Sequence, residues 1–157
     1  MQRIDARVMA RLCAVAILVG ALGAASESEG QRRAALPGVA IGDLVAHDSD
    51  SAELRDALSM ELSRLGGVHV TGVRRARYVV GGSVTRFERR RVAERMEVHC
   101  EVSLVVAERR GGSIRMMLSG QATAAGAGAT DALERSALHA AVRGALRPLG
   151  GTLVSLR

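Results

Sequence analysis

Residues 95–108, RMEVHCEVSLVVAE, alternate between apolar and polar side chains, and the pattern restricts this chain more than any other feature. Met96, Val98, Cys100, Val102, Leu104 and Val106 fall on one side of an extended chain, because successive strand residues point to opposite faces. Glu97, His99, Glu101 and Ser103 fall on the other. A strand of this kind needs one face covered and one face open, so it specifies a sheet with helices on a single side.

The flanking segments fit the same sheet. In RYVVGGSVTRFE (77–88), Tyr78, Val80 and Val84 share a face, and SIRMMLSGQAT (113–123) turns Ile114, Met116, Leu118 and Ala122 inward. ERRGGS between the last two strands is a glycine-rich hairpin turn. Ser83, Thr85, Arg115, Ser119, Gln121 and Thr123 join the polar face. Upstream, VAIGDLVA (39–46) is a short strand. Asp50 and Glu53 make a capping-box pattern for a helix whose stripe is Leu54, Leu58, Leu62 and Leu65, stopped by Gly66-Gly67. VHVTGV (68–73) is a brief second strand. Downstream, Thr130 or Asp131 caps a helix running to about Arg147, ended by Pro148 and Gly150-Gly151, and TLVSLR either adds an edge strand or frays. The expectation is an α+β fold in the order β-α-β-β-β-β-α: a mixed, mostly antiparallel sheet with two helices packed on one face.

The N-terminus reads as an address. Arg3, Arg7 and Arg11 precede the apolar run Leu12–Ala25, and Gly23 and Ala25 prepare a cut before Ser26. Residues 1–25 are therefore expected to be a signal peptide, 26–38 a polar tether and 39–157 a single domain. The rivals are an uncleaved N-terminal anchor, and an organelle transit peptide that Asp5 disfavours. Cys13 lacks the small residues a lipidation site places before it, and cleavage removes it. Cys100 then has no disulfide partner within the mature chain.

Composition narrows the function classes. One Tyr, one Phe and no Trp leave the core to aliphatic residues and supply no stacking platform, so nucleic acid is not expected as a partner. All 22 basic residues are arginine, giving a net charge of +6. Arg89, Arg90 and Arg91 are placed at the first hairpin turn, and Arg74, Arg75, Arg77, Arg109 and Arg110 at the opposite end of the sheet. This rim is either a solvated surface or a contact for anionic lipid or lipopolysaccharide head groups.

A cysteine beside a histidine among glutamates suggests a hydrolase, yet strand alternation sends Cys100 and His99 to opposite faces. Cys100 is expected in the core, where burial weakens a thiol nucleophile. Glu97, His99 and Glu101 share a face, with Arg115 across from them, and form a candidate partner-binding strip rather than a metal site. Gly81-Gly82 sit inside a strand and mark a bulge or close packing under a helix. No catalytic, cofactor-binding or metal-ligating residue is assigned, and no cofactor is expected.

ARYVVGGSVTRF followed by VSLVVAERRGGSIRMMLSGQAT resembles small bacterial envelope domains, over roughly residues 39–147. These are the LpoB-type activators of penicillin-binding proteins, the N-terminal domain of TolB and the curli secretion protein CsgG. The resemblance implies a non-enzymatic domain that docks to another envelope protein. This sequence lacks the lipobox of the LpoB and CsgG branches and has Glu108-Arg109-Arg110 at the turn. The expectation is an exported, periplasmic or extracellular protein-binding domain. The alternatives are a basic module for anionic lipid, and a small hydrolase or redox protein using Cys100 or the Glu97/His99/Glu101 face.

Overall fold

Strand β4 (Arg95–Glu108) lies at the centre of an antiparallel meander, between β3 (Tyr78–Val92) and β5 (Ile114–Gly126). The computed structural model describes residues 36–45, 50–127 and 129–155. The expected signal segment, Cys13 and the tether up to Ala35 lie outside the described residues.

Ahead of the meander, β1 (Gly38–Val45), helix α1 (Asp50–Arg64) and β2 (His69–Val70) form a β-α-β unit, the crossover that parallel neighbours require. The order across the sheet is β2-β1-β3-β4-β5, with β1 parallel to both of its neighbours. Helix α2 (Thr130–Leu146) and the short α3 (Leu149–Ser155) follow β5. The fold is the expected α+β arrangement with one helix more.

Each helix lays down the stripe its sequence spells out. Leu54, Leu58 and Leu62 of α1 are fully buried, as are Ala137, Leu138, Ala141, Val142, Ala145 and Leu146 of α2. They meet Val98, Cys100, Val102, Leu104 and Val106 of β4 and Tyr78 and Val80 of β3 in one cluster. Each fully buried leucine or valine contributes about 1.5–3 kcal/mol of transfer free energy, so an aliphatic core serves in place of large rings.

Four local expectations change. TLVSLR is not an edge strand: Leu149 and Leu153, one turn apart, are both buried in α3, and Thr152 Oγ1 donates to the Pro148 carbonyl at 2.9 Å. Pro148 precedes the first turn of α3, where a missing N–H costs nothing, so the residue that ends α2 also starts the next helix. The N-cap of α2 is Ala129, without a side-chain cap, and Asp131 sits in the first turn, where its charge complements the helix dipole. The expected capping box at Asp50 lies outside the described side chains.

Ile114 is 62% exposed rather than inward, because the register between β4 and β5 slips between Val106 and Ala107. A second slip, between Val84 and Arg86, reverses the alternation of β3 and turns Phe87 toward the core. At Gly81-Gly82 the crowding comes from neighbouring strands: an added Cβ on Gly81 would lie 2.9 Å from the Asp43 carbonyl oxygen, and one on Gly82 2.5 Å from that of Ser103. The bulge is in β1, between Ile41 and Leu44. The glycine under a helix is Gly120, whose Cβ would run into the Ala141 carbonyl oxygen of α2.

Candidate functional site

Among the described residues, the helices cover one side of the sheet and leave the other open, so the site is a surface. Its charged end is built by cross-strand pairs. Arg90 pairs with Glu97, Glu88 with His99 and Arg86 with Glu101 in the β3–β4 register. Arg90 and Arg86 thus each stand opposite an acid across the two strands, the arrangement that stabilises neighbours on a sheet face. Arg86 Nε donates to Glu88 Oε1 at 2.7 Å, and its Nη1 lies 3.8 Å from Glu101 Oε1. Contact with Glu88 raises the guanidinium pKa further.

His99 is held on both sides. Its Nε2 lies 3.0 Å from Glu101 Oε1 and its Nδ1 3.0 Å from Thr123 Oγ1 on β5. The strip therefore spans three strands, with the imidazole at its centre. Beside it, Thr85, Glu101, Ser103, Ser119 and Gln121 line a shallow depression of about 440 Å³. The face then becomes apolar: Val79 and Val105 are half-buried, and Met117, opposite Val105, is 74% exposed.

Arg115 does not stand across from the strip. Its Nη2 donates to Glu108 Oε1 at 2.7 Å at the far end of β4, while Glu97, His99 and Glu101 face Ala125, Thr123 and Gln121. Among the described residues, no group of three or more histidine, cysteine or acidic side chains converges to hold a metal. Cys100 is fully buried beneath the helices, on the opposite side of β4 from His99.

The arginines of the first hairpin lie within β3, since the turn comes only at Ala93-Glu94. Alternation divides them: Arg90 faces the open side with Glu97, while Arg89 pairs with Glu134 on α2 and stacks 5.7 Å from the Phe87 ring. Arg91 stands opposite Met96. At the other end, Arg75, Arg77, Arg109 and Arg110 line a cavity of about 370 Å³ with Ala76 and Glu108. Arg109 Nε donates to the Ala76 carbonyl at 2.9 Å, and Arg77 lies over the Tyr78 ring.

One cluster was missed in the sequence. Glu61 of α1 is 4% exposed, and its carboxylate accepts from Arg143 Nε at 3.0 Å, Arg143 Nη2 at 3.1 Å and Arg64 Nη1 at 2.9 Å, with His139 Nδ1 at 3.7 Å. The Arg143 hydrogen bonds, reinforced by the charges of Arg143 and Arg64, hold its pKa below the ordinary carboxylate value despite burial. The available signal was position: Glu61 follows Leu54 by seven residues and Leu58 by three, which puts an acid on an apolar stripe.

No family model matches this chain, and no curated protein does. Solved structures share its fold. The PelC dodecamer from Paraburkholderia phytofirmans is 18% identical with a TM-score of 0.55, covering 72% of this chain and 88% of that one. A variant of the same PelC in another crystal form gives 18% and 0.57, covering 73% and 89%. A Xanthomonas campestris protein of family DUF330 is 12% identical with a TM-score of 0.54, covering 76% and 85%. These are likenesses of fold, and the resemblance to LpoB-type activators, TolB and CsgG is not shown by them.

Proposed function

We propose that this chain is an exported, non-enzymatic domain of the bacterial cell envelope that docks to another envelope protein through the open face of its sheet. The carrying observation is the one-sided sheet: among the described residues a whole strand face is left without a covering layer, and it is graded from a charged end to an apolar end. Such a surface offers a partner both steering charge and apolar area. Two further features support the reading. The apolar N-terminal run suits export, and one fold neighbour, PelC, is a dodecamer, so this architecture is used for assembly in at least one protein.

The test places a photo-reactive residue at Glu88, on the open face, or at Arg135, on the outer surface of α2, in cells expressing the full chain. The expected result is a single adduct with a different protein from position 88 and none from position 135. Equal labelling at both positions, or no adduct at 88, would discard the proposal.

A second reading rests on the cavity ringed by Arg75, Arg77, Arg109 and Arg110, which suits anionic lipid or lipopolysaccharide head groups. Co-sedimentation with anionic vesicles should exceed that with neutral ones and should fall as salt rises. Absent or salt-insensitive binding removes this reading.

A further inference from the structure

The two edges of the sheet are unlike. At one end β2 pairs over His69–Val70 alone; at the other, β5 runs from Ile114 to Gly126 with β4 as its neighbour on one side. Among the described residues, no backbone hydrogen bond reaches the outer edge of β5. Natural sheets block such edges with lysine, proline or inward-pointing charge. The sequence of β5, IRMMLSGQATAAG, contains none of these, and its single charge, Arg115, sits next to its beginning.

We propose that a second copy of this chain pairs antiparallel with β5, with Gly120 on the two-fold axis, so that the two sheets become one. The register follows from two requirements. Antiparallel partners must keep apolar side with apolar side, which requires the two residue numbers of each pair to sum to an even value. Overlap of the whole strand, Ile114–Gly126, centres the pairing on Gly120, and the same-side rule holds in it from Met116 to Ala124, beyond the slip that turns Ile114 outward. In that register Leu118 faces Ala122 and Met116 faces Ala124 on the covered side. Ser119 faces Gln121 and Met117 faces Thr123 on the open side.

The surface is self-complementary in charge. Arg115 meets Ala125 of the second copy, and no two like charges stand opposite one another. The helices fit as well. Helix α2 packs over β4 and β5, and α1 over β1 and β2, so the flank of α2 turned from α1 is the one on the side of the free edge. Helical spacing puts Leu133 and Gly144 on that flank, and nothing lies within 4 Å of a Cβ position on Gly144. Two such flanks can approach along the two-fold without opposing charges.

The inference is distinct from the docking reading, which uses the open face of the sheet and not the backbone edge of β5; because Ser119 and Gln121 border that face, the readout is self-association alone. Its test is sedimentation equilibrium of the purified full chain under reducing conditions, so that neither Cys13 nor Cys100 can cross-link copies. The expected species is a dimer. Ser119→Lys with Gln121→Lys places like charges opposite each other twice across the axis, on exposed positions, and should weaken association by roughly tenfold or more. Ser119→Glu with Gln121→Lys places opposite charges there and should restore it. Circular dichroism melting of both variants controls for folding. A chain that stays monomeric, an assembly indifferent to the double lysine variant, or a failure of the Glu/Lys pair to restore association would overturn the proposal.

Discussion

The two sides of β4 are made by one strand and have opposite tasks. Val98, Cys100, Val102, Leu104 and Val106 are at most 1% exposed under the helices, while Glu97, His99, Glu101 and Ser103, their immediate neighbours in sequence, stay half-open to solvent. On the covered side, shape decides: each side chain fills a space that only a similar volume can fill. On the open side, polar pairing decides, and the pairs Arg86–Glu88 and Arg86–Glu101 are of the exposed kind that contribute little to stability. The difference teaches that stability and function are separated by a single residue step. A substitution at an even position of β4 should act on folding, and one at an odd position on recognition.

The sharpest break of this comparison is Leu104→Ala against Ser103→Ala. The first empties a fully buried site and should cost about 3 kcal/mol, whereas the second should stay within about 0.5 kcal/mol. Urea unfolding followed by circular dichroism checks both. Equal losses would show that the open side is packed too.

The same contrast recurs on β5. Gly120→Ala drives a methyl into the backbone of α2, where the Ala141 carbonyl oxygen and the Ala145 amide stand in the way, and neither can give like a flexible side chain. A loss of about 2 kcal/mol is expected, measured as a lower urea midpoint, against near-neutrality for Ser119→Ala. Gly120 thus explains why α2 can lie so close to the sheet.

How much of this was legible follows from what each signal depends on. The period-2 alternation of β4 and the leucine stripe of α1 are local, so they located the sheet, its covered side and the burial of Cys100. The slips beside Val84 and Val106 depend on how neighbouring strands pair, and no local pattern announces them; Ile114, expected inward, therefore faces out, and Phe87 lies on the core side. Arg115 was misplaced for a different reason: counting back from the ERRGGS turn puts it beside Glu108, far from Glu97, His99 and Glu101, and that register was legible in the sequence. The Glu61 cluster needs α1 and α2 side by side, and its partners Arg143 and His139 are about eighty residues away in sequence. Leu149 and Leu153 form a helical pair, but proline and glycines before and between them hid it.

Glu61 supplies the acid-side test. Its carboxyl is held below the ordinary value of 4.5 in the folded chain, chiefly by the Arg143 hydrogen bonds, so on acidification the unfolded chain takes up its proton first. The stability this gives is complete above that ordinary value and is lost as pH falls through the lower, folded one. Glu61→Gln should reduce stability by about 1 kcal/mol at neutral pH and flatten the acid limb of the stability profile below pH 4.5. An unchanged acid limb would place the titrating group elsewhere, since Arg64, His139 and Arg143 are all cationic or neutral partners of this one carboxylate.

The smallest stability effect should carry the largest functional one. His99→Ala removes two hydrogen bonds at the centre of the open face, to Glu101 and to Thr123, and leaves the aliphatic core untouched. Both partners remain accessible to water, which replaces the lost bonds, so the melting temperature should move by no more than a degree or two, equivalent to about 0.5 kcal/mol. Docking should respond differently. The imidazole fixes the carboxylate of Glu101 against β5, and without it the charged strip loses the orientation it offers a partner. In the photo-adduct experiment at position 88, His99→Ala should sharply reduce the yield, while His99→Gln, which can still bond on both sides, should recover part of it. If the alanine variant keeps full yield, the partner reads another part of the face. The apolar end around Val79, Val105 and Met117 is then the region to substitute next.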